Sequence, residues 1–145
     1  MIREGERLDN TGFGDIAVIQ KEGLGYGLDA VLLAAFAAGE TGARGIAEGA
    51  RILDLGSGSG IVGFVLLHKV SGSTLTGVDV REGAVERAGR AAAYNGLENR
   101  AEFHQADVSS LDDADWMEAK YDAVVSNPPY FRQSAAIPND SSDKY

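Results

Sequence analysis

Near the end of the chain, Asn127-Pro128-Pro129-Tyr130 combines residue types suited to transferring a group onto a weakly nucleophilic nitrogen. Two consecutive prolines fix the backbone and remove two N–H donors, so carbonyls there stay available as acceptors. The Asn127 side-chain oxygen and the Pro128 carbonyl then accept hydrogen bonds from one amino group. An aromatic amine is a poor nucleophile because its lone pair is delocalised into the ring. Two acceptors pulling on its hydrogens favour a pyramidal nitrogen, and no dedicated base is needed before transfer. Tyr130 offers a face for a flat target, worth roughly 1–3 kcal/mol if that target is a base. The plainer alternative is a Pro-Pro stop with an aromatic plug.

A second constellation is Asp54-Leu55-Gly56-Ser57-Gly58-Ser59-Gly60. Glycines at alternate positions let the backbone pass close to a ligand and into a helix N-terminus. Asp79 follows nineteen residues after Gly60, the offset at which doubly wound folds grip a ribose diol. The stretch Gly58-Ser59-Gly60-Ile61-Val62-Gly63 also matches the dinucleotide pattern G-x-G-x-x-G. Yet the glycines fall late for a pyrophosphate, and the Asp54 carboxylate would repel one. Asp54 suits a ligand carrying an ammonium and a sulfonium charge.

These residues need strand ends to hold them, and the sequence supplies a strand–helix rhythm. Ile52–Leu55, Thr74–Val80, Ala101–Ala106 and Tyr121–Ser126 read as strands. Ile61–Lys69, Arg81–Asn95 and a polar stretch around Asp112–Ala119 read as the helices between them. Alternation of this kind predicts an α/β fold, a parallel sheet with helices on both faces. Ahead of it, Ile16–Ile19 is expected to be extended. Asp29–Ala38 is expected to be a helix capped by Asp29 and ended by Gly39. The chain divides into a lead-in (1–50), a core (51–133) and a polar tail (134–145).

Composition narrows the chemistry. The 145 residues include no cysteine and two histidines, which leaves no thiolate nucleophile and no disulfide, and predicts no metal site. No run approaches the ~20 apolar residues of a membrane span, and no secretion signal opens the chain, so no membrane partner and a cytoplasmic location are expected. Net charge is −9, unlike a generic nucleic-acid binder. The charge is uneven: residues 1–50 carry −4, residues 51–100 carry +1 and residues 101–145 carry −6. The motifs begin in the one third that is not acidic.

The glycine loop resembles the first motif of class I, Rossmann-like methyltransferases, which use S-adenosyl-L-methionine. The resemblance implies that Asp54, Gly56, Ser57, Gly58 and Gly60 approach the methionine end. Asp79 with Val80 would hold the ribose, and Asp107 with Val108 would approach the adenine, with Asn127 completing the cofactor site. Asn127, Pro128, Pro129 and Tyr130 would be catalytic. The lead-in, Ile19-Gln20 and Gly25-Tyr26-Gly27-Leu28-Asp29-Ala30-Val31-Leu32-Leu33-Ala34, is similar to that of bacterial tRNA adenine-N6 methyltransferases acting beside the anticodon of valine tRNA. Asn95-Gly96-Leu97-Glu98-Asn99-Arg100 is similar as well. A tRNA substrate, with the tail as the start of the substrate loop, is what this likeness implies.

Domains of this class have seven strands, and the chain supplies four after the lead-in. The C-terminal strands are expected to be missing, leaving the fourth strand as an exposed edge open to self-association. Protein-glutamine and rRNA guanine-N2 methyltransferases share the motif logic and stay as alternatives. A non-catalytic cofactor-binding module and, more distantly, a nicotinamide oxidoreductase also remain.

Overall fold

The computed structural model describes residues 2–111 and 114–129. Strands β1 (Glu6–Asn10) and β2 (Ala17–Lys21) form an antiparallel pair, followed by helix α1 (Leu28–Ala37). Then come β3 (Arg51–Leu55), α2 (Ile61–Lys69), β4 (Thr74–Asp79), α3 (Glu82–Tyr94), β5 (Ala101–Gln105), α4 (Asp115–Glu118) and β6 (Ala123–Ser126). The last four strands make a parallel sheet in the order β5-β4-β3-β6. The chain runs outward from β3 through β4 and β5, then returns to β6 on the other flank of β3. That reversal leaves a crevice beyond the C-terminal end of β3, where doubly wound sheets hold ligands.

Pairing register puts Ile52, Asp54, Leu75, Gly77, Phe103 and Val125 on one face. Helix α2 is buried from Ile61 to Leu67, as an all-apolar helix must be. Its Phe64 meets Phe103 edge-on with centroids 5.6 Å apart. In α3, buried Ala84, Ala88, Ala91 and Ala92 form a stripe of small residues at helical spacing. On the opposite face, Trp116 of α4 stacks on His104 at 5.5 Å. Helices therefore lie on both faces, as the alternation predicts.

The lead-in is tied to this core by side chains that complete its backbone. Asn95 Oδ1 accepts from Ala17 N–H at 2.9 Å, and Asn95 Nδ2 donates to the Ala17 carbonyl at 2.7 Å. One side chain thus supplies both bonds of a missing strand partner. Arg90 forks onto Glu6 at 2.6 and 2.9 Å and also holds Glu86.

One expectation needs correction, and one element is unanticipated. The N-cap of α1 is Gly27, with no side-chain cap bond, so Asp29 sits in the first turn without capping. There it still favours the positive end of the helix dipole. Strand β1 is not foreshadowed, because Glu6-Arg7-Leu8-Asp9-Asn10 is nearly all polar and becomes a strand only by pairing with β2. The tail, residues 134–145, and Asp112–Asp113 at the start of the expected polar helix lie outside the described residues.

Candidate functional site

The crevice at the end of β3 is a cavity of about 720 Å³. Its walls include Asp54, Gly56, Ser57, Gly58, Asp79, Val80, Asp107, Val108, Asn127, Pro128 and Pro129. The separate motifs therefore share one cavity. Gly60 does not line it; it is the N-cap of α2 at φ 83°. A Cβ there would come within 2.7 Å of the Phe64 ring, so only glycine fits. Tyr130 lies outside the described residues.

Two bonds brace the loop to the neighbouring strand: Gly56 and Ser57 N–H both donate to the Val78 carbonyl, at 2.8 and 2.9 Å. Gly63, the last glycine of the dinucleotide-like pattern, faces the Leu75 side chain, which a Cβ would overlap. Its role is close helix–strand packing. On the other flank, Ser126 Oγ donates to the Leu55 carbonyl at 2.8 Å. This bond sets Asn127 beside the glycine loop, one residue past the register pair Leu55–Ser126.

The two strand-end acids differ sharply. Asp54 is 2% exposed, and its Oδ2 has no hydrogen-bond partner among the described residues. Burial, then the nearby Asp79 charge, push its carboxyl up to about 7, against a bond from the Gly63 amide. Ser57 Oγ is likewise buried without a partner. Asp79 is 5% exposed but well supplied with donors. Gly58 N–H reaches it at 2.8 Å, and Arg81 contributes its backbone N–H and both Nε and Nη2. Burial raises the Asp79 carboxyl, but the Arg81 bonds and charge with the Gly58 amide outweigh it and hold the group below the ordinary range.

Asp107 is exposed, and its Oδ1 accepts from the Ser109 N–H and hydroxyl at 2.9 and 2.7 Å. Those bonds hold its carboxyl low. Val80 and Val108, both exposed, add apolar surface at this end of the cavity. Sequence reasoning did not place Gln20, Tyr26, Asp29, Arg81 and Arg87 in this wall, yet they are there. The lead-in pattern held the signal for the first three. Docking through Asn95 and Arg90 turns it into a wall.

Residues 29–140 match the methyltransferase small domain family. A release factor glutamine methyltransferase of Chlorobaculum tepidum is 36% identical over 88 residues, 61% of this chain and 30% of that protein. A tRNA1(Val) (adenine(37)-N6)-methyltransferase of Parabacteroides distasonis is 34% identical over 114 residues, 78% of this chain and 44% of that protein. A solved SAM-dependent methyltransferase from Thiobacillus denitrificans, in complex with S-adenosyl-L-homocysteine, aligns with TM-score 0.52 and 27% identity. It covers 70% of this chain and 36% of that one. The chain spans less than half the length of each of these relatives. With a family match that runs from the first helix past the last strand, over a Rossmann-like sheet, the chain belongs to the methyltransferase small domain family.

Proposed function

We propose that the cavity binds S-adenosyl-L-methionine and that the chain carries the catalytic end of an N-methyltransferase acting on an adenine amino group in tRNA. The observation that carries this is the convergence of the glycine loop, Asp54, Asp79 and Asn127-Pro128-Pro129 on one cavity. The residues fit the cofactor chemically. Asp54 Oδ2 and Ser57 Oγ are buried acceptors without partners among the described residues, and such groups call for a donor; the cofactor's ammonium supplies one. Asp79 faces the ribose, while Val80 and Val108 offer apolar contact to the adenine beside Asp107. When bound, the cofactor supplies an electrophilic methyl on a sulfonium.

The chain's own part is to hold the acceptor nitrogen. Asn127 and Pro128 accept the hydrogens of the amino group, which directs its lone pair toward the methyl site. Pro129 keeps the backbone from donating there. Tyr130 is assigned to stack on the base, which must leave its helix stack to arrive. A tRNA substrate is supported by the Parabacteroides match over 78% of the chain. Residues 51–145 are 95 of the 145, so that match extends into the lead-in that walls the cavity. The glutamine methyltransferase match favours a second reading, methylation of a protein amide, where the lone pair is delocalised in the same way.

One labelling experiment separates them. Methyl-labelled S-adenosylmethionine is added with the protein to extract from cells lacking the gene. Label lost on ribonuclease treatment and recovered as N6-methyladenosine supports the tRNA reading; label lost only on protease treatment overturns it. We also propose a cytoplasmic location and self-association through β6, the outer strand of the sheet among the described residues, whose Val124 is 58% exposed. Light scattering should show a concentration-dependent mass that Val124→Lys lowers, and an unchanged mass would remove β6 from the account.

A further inference from the structure

Asp79 already holds as many donors as it can take. Its Oδ2 accepts from Gly58 N–H at 2.8 Å and Arg81 Nη2 at 3.2 Å. Its Oδ1 accepts from Arg81 N–H and Arg81 Nε, both at 3.0 Å. An ionised carboxylate offers about four acceptor sites, and these contacts fill them. Two of the four are backbone amides, fixed by the glycine loop and by the entry to α3. Neither leaves without undoing its own element.

The other two come from one side chain. The Arg81 fork presents two parallel donors to the carboxylate, which is also what a vicinal diol does. The guanidinium lies across the glycine loop: a Cβ at Gly58 would stand 3.6 Å from Arg81 Nη2. Arg81 itself lines the cavity, and its side chain is 19% exposed. It has room to swing outward while its backbone N–H stays on Asp79.

We propose that the Arg81 guanidinium is a built-in competitor of the cofactor's ribose, occupying the two acceptor sites of Asp79 that a bound diol needs and leaving them when the diol arrives. The proposal rests on the S-adenosylmethionine reading of the cavity. It makes affinity for the cofactor a difference between two bidentate contacts on one carboxylate. Removing the fork should therefore tighten binding, although it deletes a cation and two hydrogen bonds from the wall.

The test is calorimetric titration of S-adenosylhomocysteine and its 2′,3′-dideoxy analogue into the 145-residue chain and into Arg81→Met and Arg81→Lys. Thermal melts of each variant check the fold first. Arg81→Met should bind S-adenosylhomocysteine about tenfold tighter, a change of about 1.4 kcal/mol. Arg81→Lys, with a point charge in place of a fork, should fall between. The dideoxy analogue should gain nothing from Arg81→Met, because it leaves Asp79 to the arginine. Binding by Arg81→Met where the wild type binds too weakly to measure would support the proposal most strongly. If S-adenosylhomocysteine binds the wild type as tightly as it binds Arg81→Met, or if both ligands gain equally, the competition is refuted and the cofactor reading stands. If no form binds, the cofactor reading itself fails, and the competition with it.

Discussion

Strands β3 and β4 pair in register, and each carries at or beside its C-terminal end an aspartate that is almost fully buried. At the β3 end, Asp54 has an oxygen without a partner among the described residues, and its carboxyl is pushed up to about 7. At the β4 end, Asp79 takes four donors and is held below the ordinary range. Burial pushes both carboxyls up, and only at Asp79 do donors outweigh it. A buried carboxylate without them awaits a cation, whereas one surrounded by them is ionised and ready to trade a donor for a hydroxyl. Asn127, just past β6, lines the same cavity as a third region.

The largest effect should come from separating that third region from the two acids. Asn127→Ala should lower the single-turnover rate of methyl transfer by about 10²–10³, the scale seen when one preorganised polar contact to the reacting centre is lost. Cofactor affinity should move little. A fall in affinity as large as the fall in rate would merge Asn127 with the cofactor site.

Next is Asp54→Asn, which should weaken S-adenosylhomocysteine binding by about 2–5 kcal/mol, as loss of a buried charge partner does. The same change should stabilise the ligand-free chain at high pH. The Asp54 carboxyl rises from 3.8 to about 7 on folding. Its stabilising contribution is therefore full below pH 3.8 and lost as pH rises through 7. The melting advantage of Asp54→Asn should open from about pH 4 and be complete above pH 7, which a pH series of thermal melts would show. An advantage at low pH only would reverse the assignment.

A smaller effect is expected at Asp79→Ala: because the ribose contacts replace the Arg81 fork rather than add to it, affinity should fall by no more than about 1.5–3 kcal/mol, the worth of one charge-assisted bond. Its carboxyl is held low, so its stabilising contribution is present above pH 3.8 and lost as pH falls further. This variant should melt lower than the parent at pH 7 and approach it in acid, opposite to Asp54→Asn. Parallel pH trends in the two variants would dissolve the contrast between the strand ends.

Much of this was legible in the sequence for a local reason. The strand from Ile52, the glycine turn and the acid after the second strand each need only neighbouring residues to be recognised. The three left-handed glycines, Gly56, Gly58 and Gly60, are written directly as residue types. Other features depend on contacts across the chain. The polar strand β1 exists through its pairing with β2, and the lead-in becomes a cavity wall through Asn95 and Arg90. The Arg81 fork on Asp79 spans only two residues, yet nothing in their types says that the side chain turns back into the cavity.

Asp54 is the buried acid to which the cationic end of the cofactor is assigned in the proposed function. The direct measurement is S-adenosylhomocysteine affinity between pH 5.5 and 7, for the parent chain and for Asp54→Asn. A cation beside Asp54 favours its ionised form, so binding must expel the proton the ligand-free protein holds below pH 7. Affinity should rise about tenfold across that range in the parent, with close to one proton released at the acid end, and stay flat in Asp54→Asn. A pH-independent affinity in the parent, or full affinity in Asp54→Asn, would contradict the account.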